Sequence, residues 1–505
     1  RNYRPALNFY DVQVHEAGGL QTLALDRVDT VLSWKSLIVG NMVFKLIEFT
    51  GSNIEFRRDS IGTFWVAGKA VERRQPGARP RLLRWLLAQE QIVVGGAQVT
   101  WIDEMRSAPE LLVKDVKLRI ENSGKRHRFG LTGKPPAELA SAITLNADFY
   151  GSAFEGFAGQ ARVYAEFEYA NLAYAQEWFP LPLDLDSGLG VLRLWMDVEN
   201  RAVQRVIAEG NLVNVAGRLG PELDTFALAN LSGRVQWDDH AAATTIAMSD
   251  FTFETVDGVR IAPATISLKT PRGGETRTVL RVSSLDLAPL VDLSRFLPLN
   301  TATREKLAAW QPTGVIDEMR ASWLQATDGA QALNLDGQFR QLSLNSVGKM
   351  PGFSGMSGSV VLAGGHGSVA LKTENAVLDY PQFLPEPIPF DYLDADASWQ
   401  LDTNNVRVTV DSLSFTNAHA AGKMNGSYFY PGQGRGEIDM RAVLVRGEAR
   451  DVWRYFPHRF KKVQDWLKQG LVAGVSDDAR LHFEGPLDDF PFGNKSQGIF
   501  EISAA

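Results

Sequence analysis

Hydropathy in this chain alternates with period two through one short segment after another, and that pattern confines it to sheet. In Arg162–Tyr169, the residues Val163, Ala165, Phe167 and Tyr169 fall on one side of an extended strand, and Arg162, Tyr164, Glu166 and Glu168 on the other. Leu192, Leu194, Met196 and Val198 oppose Val191, Arg193, Trp195 and Asp197 in the same way. Val406, Val408 and Val410 alternate with Arg407, Thr409 and Asp411, and Leu145, Ala147 and Phe149 alternate with Asn146, Asp148 and Tyr150. Turn signals such as Asn122-Ser123-Gly124, Asp257-Gly258 and Asp328-Gly329 separate these segments at the spacing of an antiparallel array. The expected fold is mainly β: a long, twisted, mostly antiparallel sheet whose strands each carry one apolar face.

Helical signals are few. Arg81–Gln91 follows Pro80 and offers Leu82, Leu83, Trp85, Leu86 and Leu87 as an apolar face. Arg304–Trp310 reads as a short helix after Asn300-Thr301, either of which serves as an N-cap. His458–Gln469 places Phe456, Phe460, Val463 and Leu467 at helical spacing among Arg459, Lys461, Lys462 and Lys468. These elements are expected to cap sheet edges, with the lysines solvated.

Several function classes drop out. Of 505 residues, 52 are Lys or Arg and 59 Asp or Glu, a net charge of −7 without a polycationic tract, which disfavours nucleic acid as a partner. The absence of cysteine removes disulfides, thiolate metal sites and thiol redox chemistry. The longest run free of Asp, Glu, Lys and Arg is Met350–Leu371. Across it, Ser359–Ala363 and Ser368–Lys372 flank Gly364-Gly365-His366-Gly367 and read as two strands and a turn, not a membrane helix. His15, His127, His240, His366, His419, His458 and His482 are scattered without zinc-ligand spacing, so no metal site is expected.

Gly432-Gln433-Gly434-Arg435-Gly436 opens no helix and reads as a hairpin turn, not a phosphate loop. Asp103/Glu104 and Asp317/Glu318 lie in near-identical Ile-Asp-Glu-Met-Arg strings. Adjacent acids on a strand point to opposite faces, so they are expected to mark turns with Arg106 or Arg320 as local partners. No Gly-x-Ser-x-Gly elbow is present. Neither an enzyme nor a cofactor is expected.

A loose repeat organises the chain. An aromatic residue stands two positions before a proline at Trp178-Phe179-Pro180, Phe296-Leu297-Pro298, Phe383-Leu384-Pro385 and Tyr455-Phe456-Pro457. Two copies extend further. Leu307, Gly314-Val315, Asp317-Glu318, Arg320 and Trp323 match Leu467, Gly474-Val475, Asp477-Asp478, Arg480 and Phe483 offset for offset. Each copy reads as an aromatic-proline corner, a short helix, a glycine where the chain turns back, and a strand that rejoins the sheet.

The opening segment carries a family resemblance. Arg4-Pro5-Ala6-Leu7 through Val12, Leu23-Ala24-Leu25, Leu32-Ser33-Trp34-Lys35-Ser36-Leu37, Arg57-Arg58-Asp59 and Val66-Ala67-Gly68 resemble the start of the periplasmic part of AsmA-like proteins. Trp101, Asp103-Glu104, Arg126-His127-Arg128-Phe129, Asp465-Trp466-Leu467, Phe483-Glu484-Gly485-Pro486-Leu487 and Asp489-Phe490-Pro491-Phe492 resemble the YhdP-type branch. That resemblance implies a sheet curled into an elongated groove. It also implies a bacterial inner-membrane anchor outside this chain, a periplasmic location, and the carriage of phospholipid towards the outer membrane. On this reading the chain is a fragment of the whole.

Residues 1–135 are expected to form an N-terminal AsmA-like module, 136–300 and 301–450 two groove modules, and 451–505 a helix with the start of another. The residues expected to line the groove are Leu145, Ala147, Phe149, Val163, Ala165, Phe167, Tyr169, Leu192, Leu194, Met196, Val198, Val406, Val408 and Val410. Their partners would be phospholipid acyl chains. The other reading is a non-enzymatic scaffold or spacer binding envelope proteins, in which the same apolar faces pack as an ordinary core.

Overall fold

The computed structural model describes residues 5–15, 21–36, 42–66, 69–70, 81–152, 158–178, 184–273, 277–324, 333–348, 350–402, 404–493 and 498–504. The chain is mainly β, with 66% of the described residues in strands. It divides into two units, 1–260 and 261–505.

The first unit contains β1 (Ala6–His15), β2 (Gln21–Leu32), β3 (Phe44–Thr50), β4 (Asn53–Arg58), β5 (Phe64–Val66), β6 (Lys69–Ala70), β7 (Gln91–Asp103), β8 (Leu111–Ser123), β9 (Arg126–Lys134), β10 (Ala142–Ser152), β11 (Ala158–Asn171), β12 (Asp184–Glu199), β13 (Ala202–Arg218), β14 (Phe226–His240) and β15 (Ala243–Thr255). β1, β2 and β3 pair antiparallel. β3 and β4 both run parallel to β7, across a connection that includes β5, β6 and helix α1 (Arg81–Ala88). From β7 to β15 every strand pairs antiparallel with the next.

The second unit continues this plan with β16 (Arg260–Pro271), β17 (Arg277–Asp286), β18 (Thr313–Leu324), β19 (Leu333–Leu344), β20 (Gly352–Ala363), β21 (His366–Asp379), β22 (Ile388–Leu401), β23 (Val406–Thr416), β24 (Ala420–Tyr430), β25 (Glu437–Glu448), β26 (Val475–Ser476), β27 (Ala479–Pro486) and β28 (Ile499–Ala504). The order is an antiparallel meander from β16 to β25, followed by β27 and β28, with the short β26 also on β25.

The sheets are one layer thick. Among the described residues, extensive strand contacts are confined to ladder neighbours. The accessible surface, 30577 Å², agrees with this. Two separate compact domains, each with half of the 55.7 kDa mass, would together expose only about 22,000 Å². Buried apolar residues gather in local clusters, such as Leu25, Val28 and Ile47 in the first unit and Phe339, Met356, Ala376, Leu393 and Ala395 in the second.

Helices fill connections between neighbouring strands. Leu87 of α1 packs on Phe149, Phe129 and Ala161. The helix end is pinned by the buried Gln89, whose side chain accepts from the Phe44 N–H at 2.8 Å, and by Asn122, which donates to the Gln89 carbonyl at 2.7 Å. The side chains of Leu82 and Leu83, like Pro80, lie outside the described residues. α2 (Leu172–Ala175) is capped by Asn171, and the indole of the buried Trp178 donates to the Pro109 carbonyl at 2.9 Å.

The second unit adds α3 (Ala288–Leu293), α4 (Thr301–Trp310) and α5 (Lys461–Gly470). Asn300 is the cap of α4, accepting from the Thr303 N–H at 2.8 Å. On α5 the expected apolar stripe is displaced: Gln464 and Leu467 are buried, whereas Val463 is exposed. Gln464 satisfies its amide by donating to the Phe456 carbonyl, which lets a polar residue take the inner position.

The two long repeat copies share backbone detail. Gly314 and Gly474 both sit at positive φ, 108° and 131°. Their carbonyls accept from Leu287 and Ala449, each at 2.9 Å, while Leu307 and Leu467 accept from Gln311 and Leu471, again each at 2.9 Å. The corner at Phe383 is hydrogen-bonded to the next one, with His458 N–H donating to its carbonyl at 2.9 Å. Phe179-Pro180 and Asp328-Gly329 lie outside the described residues.

The first acidic pair does mark a turn, with Asp103 ending β7 and Glu104 opening the turn after it, but the partners of both pairs differ from expectation. Asp103 is paired with Arg58 and Glu104 with Arg57, while Arg106 donates to the Trp178 carbonyl. Asp317 and Glu318 lie within β18, where Asp317 pairs across the ladder with Arg340 at 2.6 Å. Cross-strand neighbours were available as partners at closer range than residues along the same strand.

Candidate functional site

Residues opposite one another on a ladder share a face, so the register alone traces what each face presents. In the first unit one file runs Phe9, Val28, Phe49, Val94, Leu118, Leu131, Leu145, Ala165, Leu194, Ala208, Val235, Met248. It crosses twelve ladder-paired strands without a polar side chain. The adjacent file on the same face runs Leu7, Thr30, Ile47, Ile92, Ile120, Phe129, Ala147, Val163, Met196, Val206, Trp237, Ile246, with Thr30 as its single polar member. At about 4.8 Å between strands, a file of twelve spans roughly 53 Å.

The second unit repeats the arrangement. Ile266, Val282, Met319, Gly337, Val360, Val369, Ala397, Val410, Gly426, Met440, Phe483 and Phe500 form one file. Beside it run Leu285, Ile316, Phe339, Gly358, Leu371, Ala395, Leu413, Met424, Ala442, Leu481 and Ile502. Parts of these files stay open to solvent, including Phe9, Leu145, Val235 and Ile502.

The reverse face is a charge ladder. Arg128, Asp148, Arg162, Asp197, Arg205 and Asp238 alternate in sign across six strands, beside Glu166, Arg193, Glu209 and Arg234. Arg193 donates to Glu166 at 2.9 Å and Arg205 to Asp238 at 2.6 Å. The hydrogen bond from Arg193 holds the Glu166 carboxyl below the usual range. At Asp238 burial pushes the carboxyl up, but hydrogen bonds from Arg205 and Gln236 outweigh it and the net shift is down. A one-residue slip would turn these charges into the apolar files, so the ladder fixes which face is which.

The sequence-predicted lining residues fall within this frame. Leu145, Ala165 and Leu194 belong to one file, and Ala147, Val163 and Met196 to the next. Phe167 with Leu192, and Phe149 with Val198 through Ala161, flank them on the same face. Val406, Val408 and Val410 share one face of the second unit. Phe149 and Tyr169 stand at the two extremes of accessibility. Phe149 is buried beneath α1. Tyr169 sits in a β-bulge at φ 49° and is 74% exposed, and Ala170 takes the ladder position opposite Gly190 instead. The extra residue resets the alternation. Sequence reasoning also missed most of each file: Val206 and Ala208, Val235 and Trp237, and Ile246 and Met248 carry the same period-two signal and could have been read.

One His/Asp/Glu group has metal-ligand geometry among the described residues, Asp439, His482 and Glu484. The guanidinium of Arg441 already supplies its cation, at 3.1 Å from Asp439 and 3.2 Å from both His482 and Glu484.

A model of the YhdP protein family matches residues 1–505, the whole length. The chain belongs to the YhdP family. No curated protein and no solved structure matches it. YhdP membership suggests a lipid-transport-type envelope protein, in a family of non-enzymatic transport or scaffold character. No helix among the described residues is long and apolar enough to cross a membrane.

Proposed function

We propose that this chain conducts phospholipid between the inner and outer membranes of the bacterial envelope, as a periplasmic part of an inner-membrane-tethered protein, by carrying acyl chains along the apolar face of its sheet. The observation that supports the reading is the run of apolar residues, unbroken by charge, across twelve ladder-paired strands in each unit. Leaving a CH₂ group in water costs roughly 0.8 kcal/mol, so a bare sixteen-carbon chain faces a barrier of about 12 kcal/mol. A track that replaces water along the path removes most of that barrier without chemistry. The files have no charged member at which a chain would stall, and their half-open surface lets lipid exchange sideways. Headgroups remain in water.

The test is native mass spectrometry with lipid extraction on the chain purified in mild detergent, beside a Phe167→Asp/Leu194→Asp variant. The reading expects phospholipid on the parent and its loss from the folded variant. A lipid-free, folded parent would favour the scaffold reading.

A further inference from the structure

Tyr164 and Trp195 are out of place: they are large aromatics on the charged face of the first unit, opposite one another on β11 and β12. Their rings stand 5.4 Å apart between centroids and form one wall of a cleft of about 360 Å³. That volume is at the small end of the range for ligand clefts, about 300–1,000 Å³. Gly130, two strands away on the same row, adds no side chain to the lining, and a β-carbon there would meet the Asn146 amide oxygen at 3.3 Å, so the Asn146 side chain lies over the glycine.

Polar groups surround this platform with capacity to spare. The Asn146 amide and the Trp195 indole N–H make no hydrogen bond among the described residues. The Arg162 side chain is 89% exposed, and its ion pair with Asp197 is long, 3.8 Å. The lining acids Glu121 and Asp148 are held by arginines, Glu121 by Arg128 at 2.9 Å and Asp148 by Arg126 at 2.5 Å. With Arg119, Arg128 and Arg162 against Glu121 and Asp148, the lining carries one positive charge in excess, 3 − 2.

We propose that this cleft binds a saccharide ring bearing a carboxylate, with no catalysis. A pyranose has an apolar C–H face, which suits the indole and phenol, and a rim of hydroxyls that both donate and accept. Alternating carboxylates, guanidiniums and an amide match such a rim, each hydroxyl finding one donor and one acceptor. Arg162, exposed and only loosely paired with Asp197, takes the carboxylate. A nucleotide would also stack on the aromatics, and its binding is one of the outcomes that the experiment below separates. An acyl chain belongs to the other face. The cleft therefore gives the sheet a second ligand class on its reverse side, and the inference stands independently of the lipid reading.

The experiment is saturation-transfer NMR on the full chain with the disaccharide N-acetylglucosaminyl-N-acetylmuramic acid, compared with uridine monophosphate and inorganic phosphate. Transfer to the ring C–H protons is expected. Trp195→Ala should weaken binding at least tenfold, Trp195→Phe should restore most of it, and Arg162→Gln should weaken it several-fold, all three keeping the parent's circular dichroism and melting behaviour. No transfer from the disaccharide, binding that survives Trp195→Ala, or tighter binding of the nucleotide or of phosphate would each overturn the proposal.

Discussion

A single carboxylate placed in an apolar file should block it, and the same carboxylate one residue along should not. Val369 sits sixth in the twelve-residue file of the second unit, between Val360 and Ala397. Ser368, its neighbour in sequence, lies on the reverse face between Val361 and Ser398. Val369→Asp and Ser368→Asp therefore add the same charge to the same strand, on opposite faces. An ionised Asp at position 369 holds its own water and keeps on the order of four methylenes of a passing chain hydrated. At about 0.8 kcal/mol each, that costs about 3 kcal/mol, or more than a hundredfold in local affinity.

The assay is displacement of a fluorescent fatty acid, with transfer of labelled phospholipid between vesicles as a second readout. Melting curves confirm that both variants are folded. Val369→Asp should abolish most transfer, and Ser368→Asp should stay within about twofold of the parent. Equal loss in both variants, or none in either, would refute the assignment of faces.

Other outcomes follow from the same geometry. Tyr169→Asp should leave lipid binding unchanged while Phe167→Asp reduces it, because the bulge carries Tyr169 out of the ladder sequence; the same displacement assay reads both. Phe339→Ala should destabilise the second unit by about 3 kcal/mol, at the low end for a buried phenylalanine because only a single layer surrounds it, as measured by urea unfolding. Gly314→Ala should loosen its corner more than Gly474→Ala in hydrogen exchange. Both need positive φ, but a β-carbon at 314 would come within 2.6 Å of the Gln341 carbonyl oxygen, whereas at 474 the nearest atom is 3.5 Å away. Asp238 has a lowered carboxyl pKa in the fold. The stability it contributes is thus complete above the ordinary aspartate pKa of about 4 and is lost as pH falls through the lowered value, so Asp238→Asn should flatten the acid limb of the melting-temperature profile.

The strands were legible because alternation and sheet share the same period. Val163-x-Ala165-x-Phe167 and Leu192-x-Leu194-x-Met196 declared their faces in sequence, and cross-strand pairing then aligned those faces. The repeat copies were legible down to their glycines, since Gly314 and Gly474 mark a backbone conformation that few other residues adopt. Bulges were not legible. The shift that expels Tyr169 shows only in the pairing with β12, where Phe167 meets Leu192 and Ala170 meets Gly190. The acid pairs failed for the same reason: their partners, Arg58 for Asp103 and Arg340 for Asp317, come from neighbouring strands. The aromatic platform of Tyr164 and Trp195 was visible only as two breaks in separate polar alternations, and pairing was needed to bring them together.

The central claim, that lipid travels on one face of the sheet, is tested most directly by site-specific photo-crosslinking. Benzoylphenylalanine introduced at Leu194 and at Val369, each within an apolar file, should yield adducts with phospholipid detectable by mass spectrometry. The same group at Arg193 and at Ser368, their neighbours on the reverse face, should yield none. Adducts from both faces alike, or from the reverse face alone, would contradict the account.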